Sequence, residues 1–246
     1  MAQHNRHTTS RGRVARRAGA APGGGPATCM MVAVTPVPEP SDTSADAPAR
    51  VRVLTVCTGN ICRSPAVERL LAAGLGGMYR GQDGALAPGG VEVGSAGTRA
   101  VVGAPMSPQM AALVAGRGLD ADAFDARQVD AATVRDADVV LALTRAHRSA
   151  LVELVPAAVR RTFTLLELAR LAPLVDPERL AAAGATPAER LVALVPLAAA
   201  QRGRFDATPE DDDVTDPIGG SDALYARVFA QMADAVDVVV GVVGRS

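Results

Sequence analysis

Lysine is absent: all 25 basic residues of this 246-residue chain are arginine, and 26 acidic residues leave a formal net charge of −1. That balance lacks the basic surplus with which proteins hold nucleic acid, and the arginine bias reads as codon usage. Tryptophan is also absent and aromatics make up only 2%, too little for a base-stacking surface. No nucleic-acid partner is read. Two of the histidines, His4 and His7, sit at the N-terminus, so a zinc site or cysteine–histidine pair would have to use His147 alone. Its setting, Thr144-Arg145-Ala146-His147-Arg148, suits the first turn of an amphipathic helix and predicts a solvent-exposed, structural residue. Cys29, Cys57 and Cys62 are too few for the disulfide framework of a secreted domain, so a reducing cytoplasm is expected. No run of about 18 apolar residues occurs, and no apolar core follows Arg16-Arg17. Neither a membrane span nor a signal peptide is read.

What is present is 48% hydrophobic residues, enough for one sizeable core. Residues 1–49 carry Gly, Pro, Ser, Thr, Ala and Arg without apolar periodicity and are expected to form a disordered tail; Met30-Met31 suits a later start. Residues 50–246 read as one domain. Val51 to Val56, Val91 to Val93, Val139 to Leu143 and a run near Arg161 to Thr164 read as strands. Helices are expected over Pro65 to Gly74, Ser107 to Ala115, Arg145 to Leu154 and Asp222 to Val239. Between residues 165 and 204 the helical segments are expected to break at Pro173, Gly184 and Pro196. This alternation predicts an α/β doubly wound sheet, whose ligand sites lie beyond the carboxyl ends of strands.

Cys57-Thr58-Gly59-Asn60-Ile61-Cys62-Arg63-Ser64-Pro65 occupies that place after the first strand. A strand leading through a glycine-containing turn into a helix points several N–H groups and the positive helix end at one spot, where oxyanions are stabilised. A thiol there is a nucleophile, and a helix N-terminus with a nearby cation favours its ionised form. Arg63 has a planar fork able to hold two phosphate oxygens, while the amides of Thr58, Gly59, Asn60, Ile61 and Cys62 take the others. Ser64 can donate to the sulfur, and Asn60 tolerates left-handed backbone. Attack on phosphorus leaves an oxygen needing a proton. The best donor is Asp216 in Asp213-Val214-Thr215-Asp216-Pro217-Ile218-Gly219-Gly220, because Pro217 restricts it to extended or turn backbone. Asp216 then serves as acid in the first step and as base for water in the second. The scheme calls for no metal and no cofactor. The acidic run Glu210 to Asp213 reads as a solvated loop that disfavours acidic phosphopeptides.

These motifs resemble the low-molecular-weight protein tyrosine phosphatase family, whose early Cys-x-x-x-x-x-Arg-Ser-Pro loop and late Asp-Pro pair match Cys57, Arg63, Ser64, Pro65, Asp216 and Pro217. Ser95 to Thr98, Ala126 to Val129 and Ala137 to Leu141 resemble further family segments in the same order. The resemblance spans roughly residues 51–240, with a helical insertion at about 172–212. It implies a four-stranded parallel sheet with helices on both faces and a metal-independent tyrosine phosphatase working through a phosphocysteine. Cys57 would be the nucleophile, Arg63 the phosphate ligand, Asp216 the general acid, and a phosphorylated protein or peptide the substrate. Asn60 and Ser64 would shape the loop. Cys62 has two open readings, a reversible disulfide partner of Cys57 or a small apolar filler. Ile218, Gly219 and Gly220 stand where the family often has aromatics, and Phe124 where many members carry a loop-supporting histidine. Protein arginine phosphatase is the alternative, although Ile61 replaces the smaller Thr of that branch. A thioredoxin-coupled arsenate reductase would need a cysteine after Cys62, and a silent phosphate-binding module would not need thiol, guanidinium and Asp-Pro together. Oligomeric state and physiological substrate stay open.

Overall fold

Successive β-branched and aliphatic residues leave the inner strands no polar face, which suits burial on both sides of a parallel sheet. The computed structural model describes residues 50–87, 89–203 and 212–245. The stretch 1–49, with the expected tail and Cys29, lies outside them. Five strands form the sheet: β1 (Val51–Cys57), β2 (Met78–Tyr79), β3 (Val91–Gly97), β4 (Val139–Ala142) and β5 (Thr162–Thr164), in the order β2-β3-β1-β4-β5. All pairings are parallel. The expected four strands become five because β2 is two residues long, pairing Met78 with Glu92 and Tyr79 with Val93, and two residues carry no alternation to read.

Neighbouring residues of each central strand face opposite layers. Val53, Val93, Leu141 and Phe163 pack beneath α1 (Arg63–Gly74), α5 (Leu165–Leu171) and α8 (Asp222–Gly244). Leu54, Val56, Val140 and Ala142 face Val134 of α3 (Ala131–Asp136) and Leu151 of α4 (Arg145–Leu154). Leu151 is fully buried, and truncating such a leucine to alanine costs about 2–5 kcal/mol, so α4 is held firmly against the sheet. α2 (Pro108–Gly116) completes the first layer.

The stretch expected as an insertion contains α6 (Pro177–Ala183) and α7 (Pro187–Ala199). α7 joins the main core through Leu191, Leu194, Val195 and Ala198. Its Arg190 donates to Gly184 O, Ala185 O and Val243 O, tying the turn before α7 to the end of α8. α6 stops before Gly184, as expected, but α7 runs through Pro196 to Ala199; only the last turn lies beyond the proline, so one missing N–H is tolerated. No described helix is long and apolar enough to cross a membrane.

Candidate active site

Register places the site. β1 and β3 pair residue for residue up to Cys57 and Gly97, and beyond them Thr98 N, Arg99 N and Val101 N donate to the carbonyls of Cys57, Thr58 and Gly59 at 2.9, 2.9 and 3.0 Å. The Cys57–Arg63 loop is thus clamped along one side by the segment following β3. Gly97 has to be glycine for lack of space: a Cβ there would lie 2.4 Å from Thr58 O and 3.0 Å from Asn60 N, inside van der Waals contact.

Within the loop Asn60 is the one described non-glycine residue with positive φ, at 54°. Its amide holds the curl from inside: Oδ1 accepts from Arg127 N at 2.7 Å and Nδ2 donates to Ser64 Oγ at 2.9 Å. Because Ser64 Oγ accepts that bond, its own hydrogen is free for Cys57 Sγ, 3.0 Å away, or Ala96 O, 3.3 Å away. The loop-supporting contact comes from the Arg127 backbone, while Phe124 is buried and packs near the Arg69 guanidinium.

Arg63 opens α1 and is 3% exposed. Nη1 donates to Val214 O at 2.9 Å, and Nη2 meets Asp216 Oδ2 at 2.6 Å. Nε is buried without a protein partner among the described residues, which leaves a donor for an oxyanion. The Val214 contact was not legible in the sequence. Buried Val214 donates to Leu143 O at the end of β4, and this cross-link carries Asp216 to the loop from 153 positions away. Cys57, Thr58, Gly59, Ile61, Cys62, Arg63, Arg99, Val101, Asp216 and Ile218 enclose a cavity of about 290 Å³. Its lining includes the aliphatic side chains of Val101 and Ile218, each about half exposed. The sequence-predicted residues therefore converge, except that Asn60 and Ser64 act behind the loop.

One expectation is corrected. His147 is buried at 7% exposure, because its ring turns inward onto Thr58, with Nε2 2.8 Å from Thr58 Oγ1; burial and the Arg63 charge push its pKa down to about 4. The described part of the acidic run is engaged: Asp212 pairs with Arg170 at 2.8 Å, and Asp213 accepts from Arg145 N at 2.6 Å. Glu210 and Asp211 lie outside the described residues. Cys62 is buried beside Ser107, and burial pushes its thiol up to about 12, so it stays protonated at neutral pH.

A family model described as low molecular weight phosphotyrosine protein phosphatase matches residues 52–178, a span that ends before Asp216. The low molecular weight protein-tyrosine-phosphatase Wzb of Salmonella typhi is 33% identical over 105 residues, 43% of this chain and 62% of its own length. The chain therefore spans less than two thirds of that relative. The probable low molecular weight protein-tyrosine-phosphatase EpsP of Ralstonia nicotianae is 32% identical over 127 residues, 52% of this chain and 78% of EpsP. Among solved structures, the YwlE arginine phosphatase from Geobacillus stearothermophilus aligns with a TM-score of 0.52 at 26% identity, covering 78% of this chain and 91% of that one.

Proposed function

Because this chain belongs to the low molecular weight phosphotyrosine protein phosphatase family, we propose that it hydrolyses phosphotyrosine in proteins or peptides through a phosphocysteine. The observation that carries this reading is the convergence of Cys57, Arg63 and Asp216 on one cavity. Cys57 Sγ attacks phosphorus in line, forming an S–P bond as the P–O bond to the leaving group breaks. The departing oxygen takes its proton from Asp216. Arg63 and the loop amides hold the equatorial oxygens, where charge builds up in the transition state. Water then attacks phosphorus and gives its proton to the Asp216 carboxylate, and the S–P bond breaks to release phosphate. Ser64 stabilises the sulfur as it leaves.

A second reading, phosphoarginine, is favoured by the aliphatic side chains of Val101 and Ile218 in the cavity lining and by the likeness to an arginine phosphatase. Ile61 in the cavity wall narrows it and favours the aryl substrate. We place the enzyme in the cytoplasm, where a reducing medium suits the free thiols Cys57 and Cys62, and we read residues 172–212 as an addition to the family domain.

Purified protein in excess chelator is expected to release phosphate from an aryl phosphate, with Cys57→Ser abolishing it. Asp216→Asn should slow phenyl phosphate far more than p-nitrophenyl phosphate, because the poorer leaving group needs the proton more. Equal slowing of both would remove Asp216 as the acid. Initial rates on matched phosphotyrosine and phosphoarginine peptides rank the two readings.

A further inference from the structure

His147 is fixed at three points. Its backbone N–H donates to Thr144 Oγ1 at 3.2 Å, its Nδ1 lies 2.8 Å from the same oxygen, and its Nε2 lies 2.8 Å from Thr58 Oγ1. Thr144 caps α4, so the ring is anchored to a helix end rather than to a mobile loop. Thr58 adjoins Cys57, and its hydroxyl oxygen also lies 3.5 Å from the donor Arg63 Nη2. A chain of contacts therefore runs from α4 through an imidazole and a hydroxyl to the guanidinium that faces Asp216.

Neutral imidazole has one N–H and one lone pair, so two arrangements satisfy the ring. With the proton on Nδ1, Nε2 accepts from Thr58 and the Thr58 hydrogen is committed to the ring. With the proton on Nε2, the Thr144 hydroxyl donates to Nδ1, and Thr58 Oγ1 accepts from both His147 and Arg63. The Thr58 hydrogen is then free for the cavity of about 290 Å³ that Thr58 lines together with Cys57, Arg63 and Asp216. Only this second arrangement turns Thr58 into a side-chain donor for an oxyanion beside Cys57.

We propose that His147 is a positioning residue which, as the Nε2–H tautomer, orients the Thr58 hydroxyl as a phosphate donor and steadies the Arg63 fork. The inference rests on the reading of Cys57 as the phosphate-site nucleophile. It goes beyond that reading by assigning a role to a residue 89 positions from Thr58.

The test uses the full chain and its His147→Ala, His147→Gln, Thr58→Val and His147→Ala/Thr58→Val variants, each checked by thermal melting. The concentration of vanadate that protects Cys57 from iodoacetate is measured alongside kcat and KM on p-nitrophenyl phosphate. His147→Ala is expected to weaken vanadate protection about tenfold, the loss of roughly one hydrogen bond to a charged group. Thr58→Val should do the same, the double variant should be no worse than either single, and the Gln amide should restore part of the effect. Nitrogen-15 chemical shifts of the ring should report a proton on Nε2. Unchanged protection in folded His147→Ala, additive losses in the double variant, or a proton on Nδ1 would each overturn the proposal. If His147→Ala does not fold, Thr58→Val, which keeps the shape, and the nitrogen shifts carry the test. Absence of any vanadate protection in the unaltered protein would instead sink the phosphatase reading itself.

Discussion

Asn60 ties stability and catalysis together at one position. The residue is fully buried, has φ 54°, accepts from Arg127 N and donates to Ser64 Oγ. Asn60→Ala leaves the Arg127 N–H without an acceptor, which costs about 1–3 kcal/mol, and removes a second hydrogen bond contributing about 1 kcal/mol. Alanine in left-handed backbone adds about 1 kcal/mol, so the expected loss is about 3–5 kcal/mol by urea denaturation. Asn60→Gly loses the same bonds without the strain and should be about 1 kcal/mol more stable than Asn60→Ala. Asn60→Asp keeps the acceptor for Arg127 but places a carboxylate at a fully buried position, which costs about 1–3 kcal/mol or more in desolvation. That carboxylate also accepts from Ser64 and draws that hydroxyl away from Cys57 Sγ, now 3.0 Å away. Its kcat on an aryl phosphate should fall by at least about tenfold, one hydrogen bond's worth in the transition state. A loss under about 1 kcal/mol for alanine, on the hydrogen-bond values used here, or an Asp variant with native kcat, would refute the reasoning.

Gly97→Ala should push the loop outward, because its Cβ would sit 2.4 Å from Thr58 O; a loss of about 1–3 kcal/mol and weaker vanadate binding are expected, measured by denaturation and inhibition. Burial raises Glu68 to about 7 against the opposing pull of Ser95 and Arg69, and depresses His147 to about 4. The folded protein therefore holds a proton on Glu68 that the unfolded chain gives up, and stability from this group falls as pH rises from about 4.5 to about 7. At about 1.4 kcal/mol per pH unit the ceiling is about 3 kcal/mol, and Glu68→Gln should flatten this slope. His147 acts in the opposite sense, its contribution being lost as pH falls from 6.5 towards 4, and a His147 variant should flatten that slope in denaturation midpoints taken across pH. Arg99 lines both cavities and has no ion-pair partner among the described residues. Arg99→Glu should shift kcat/KM from acidic-flanked towards basic-flanked phosphopeptides by roughly tenfold, an effect that salt should shrink; equal rates on both at low salt would exclude it as a charge selector.

The strand–loop–helix unit could be read directly from residues 51–74, because its information is local. An apolar run, a turn of defined spacing and a helix pattern specify where amides converge, whatever the rest of the chain does. The Asp-Pro pair was legible as a rigid carboxyl but not as a neighbour of Arg63, since that depends on Val214 docking against Leu143 across the sheet. Likewise His147 read as an exposed helix residue, because helix periodicity gives a facing direction only once the packed layer is known. The composition and order of residues determined the phosphate loop and the parallel architecture. Tertiary packing alone decided which distant side chains face that loop, because burying His147 and Arg63 removes the competing water and brings Thr58, Val214 and Asp216 within their reach.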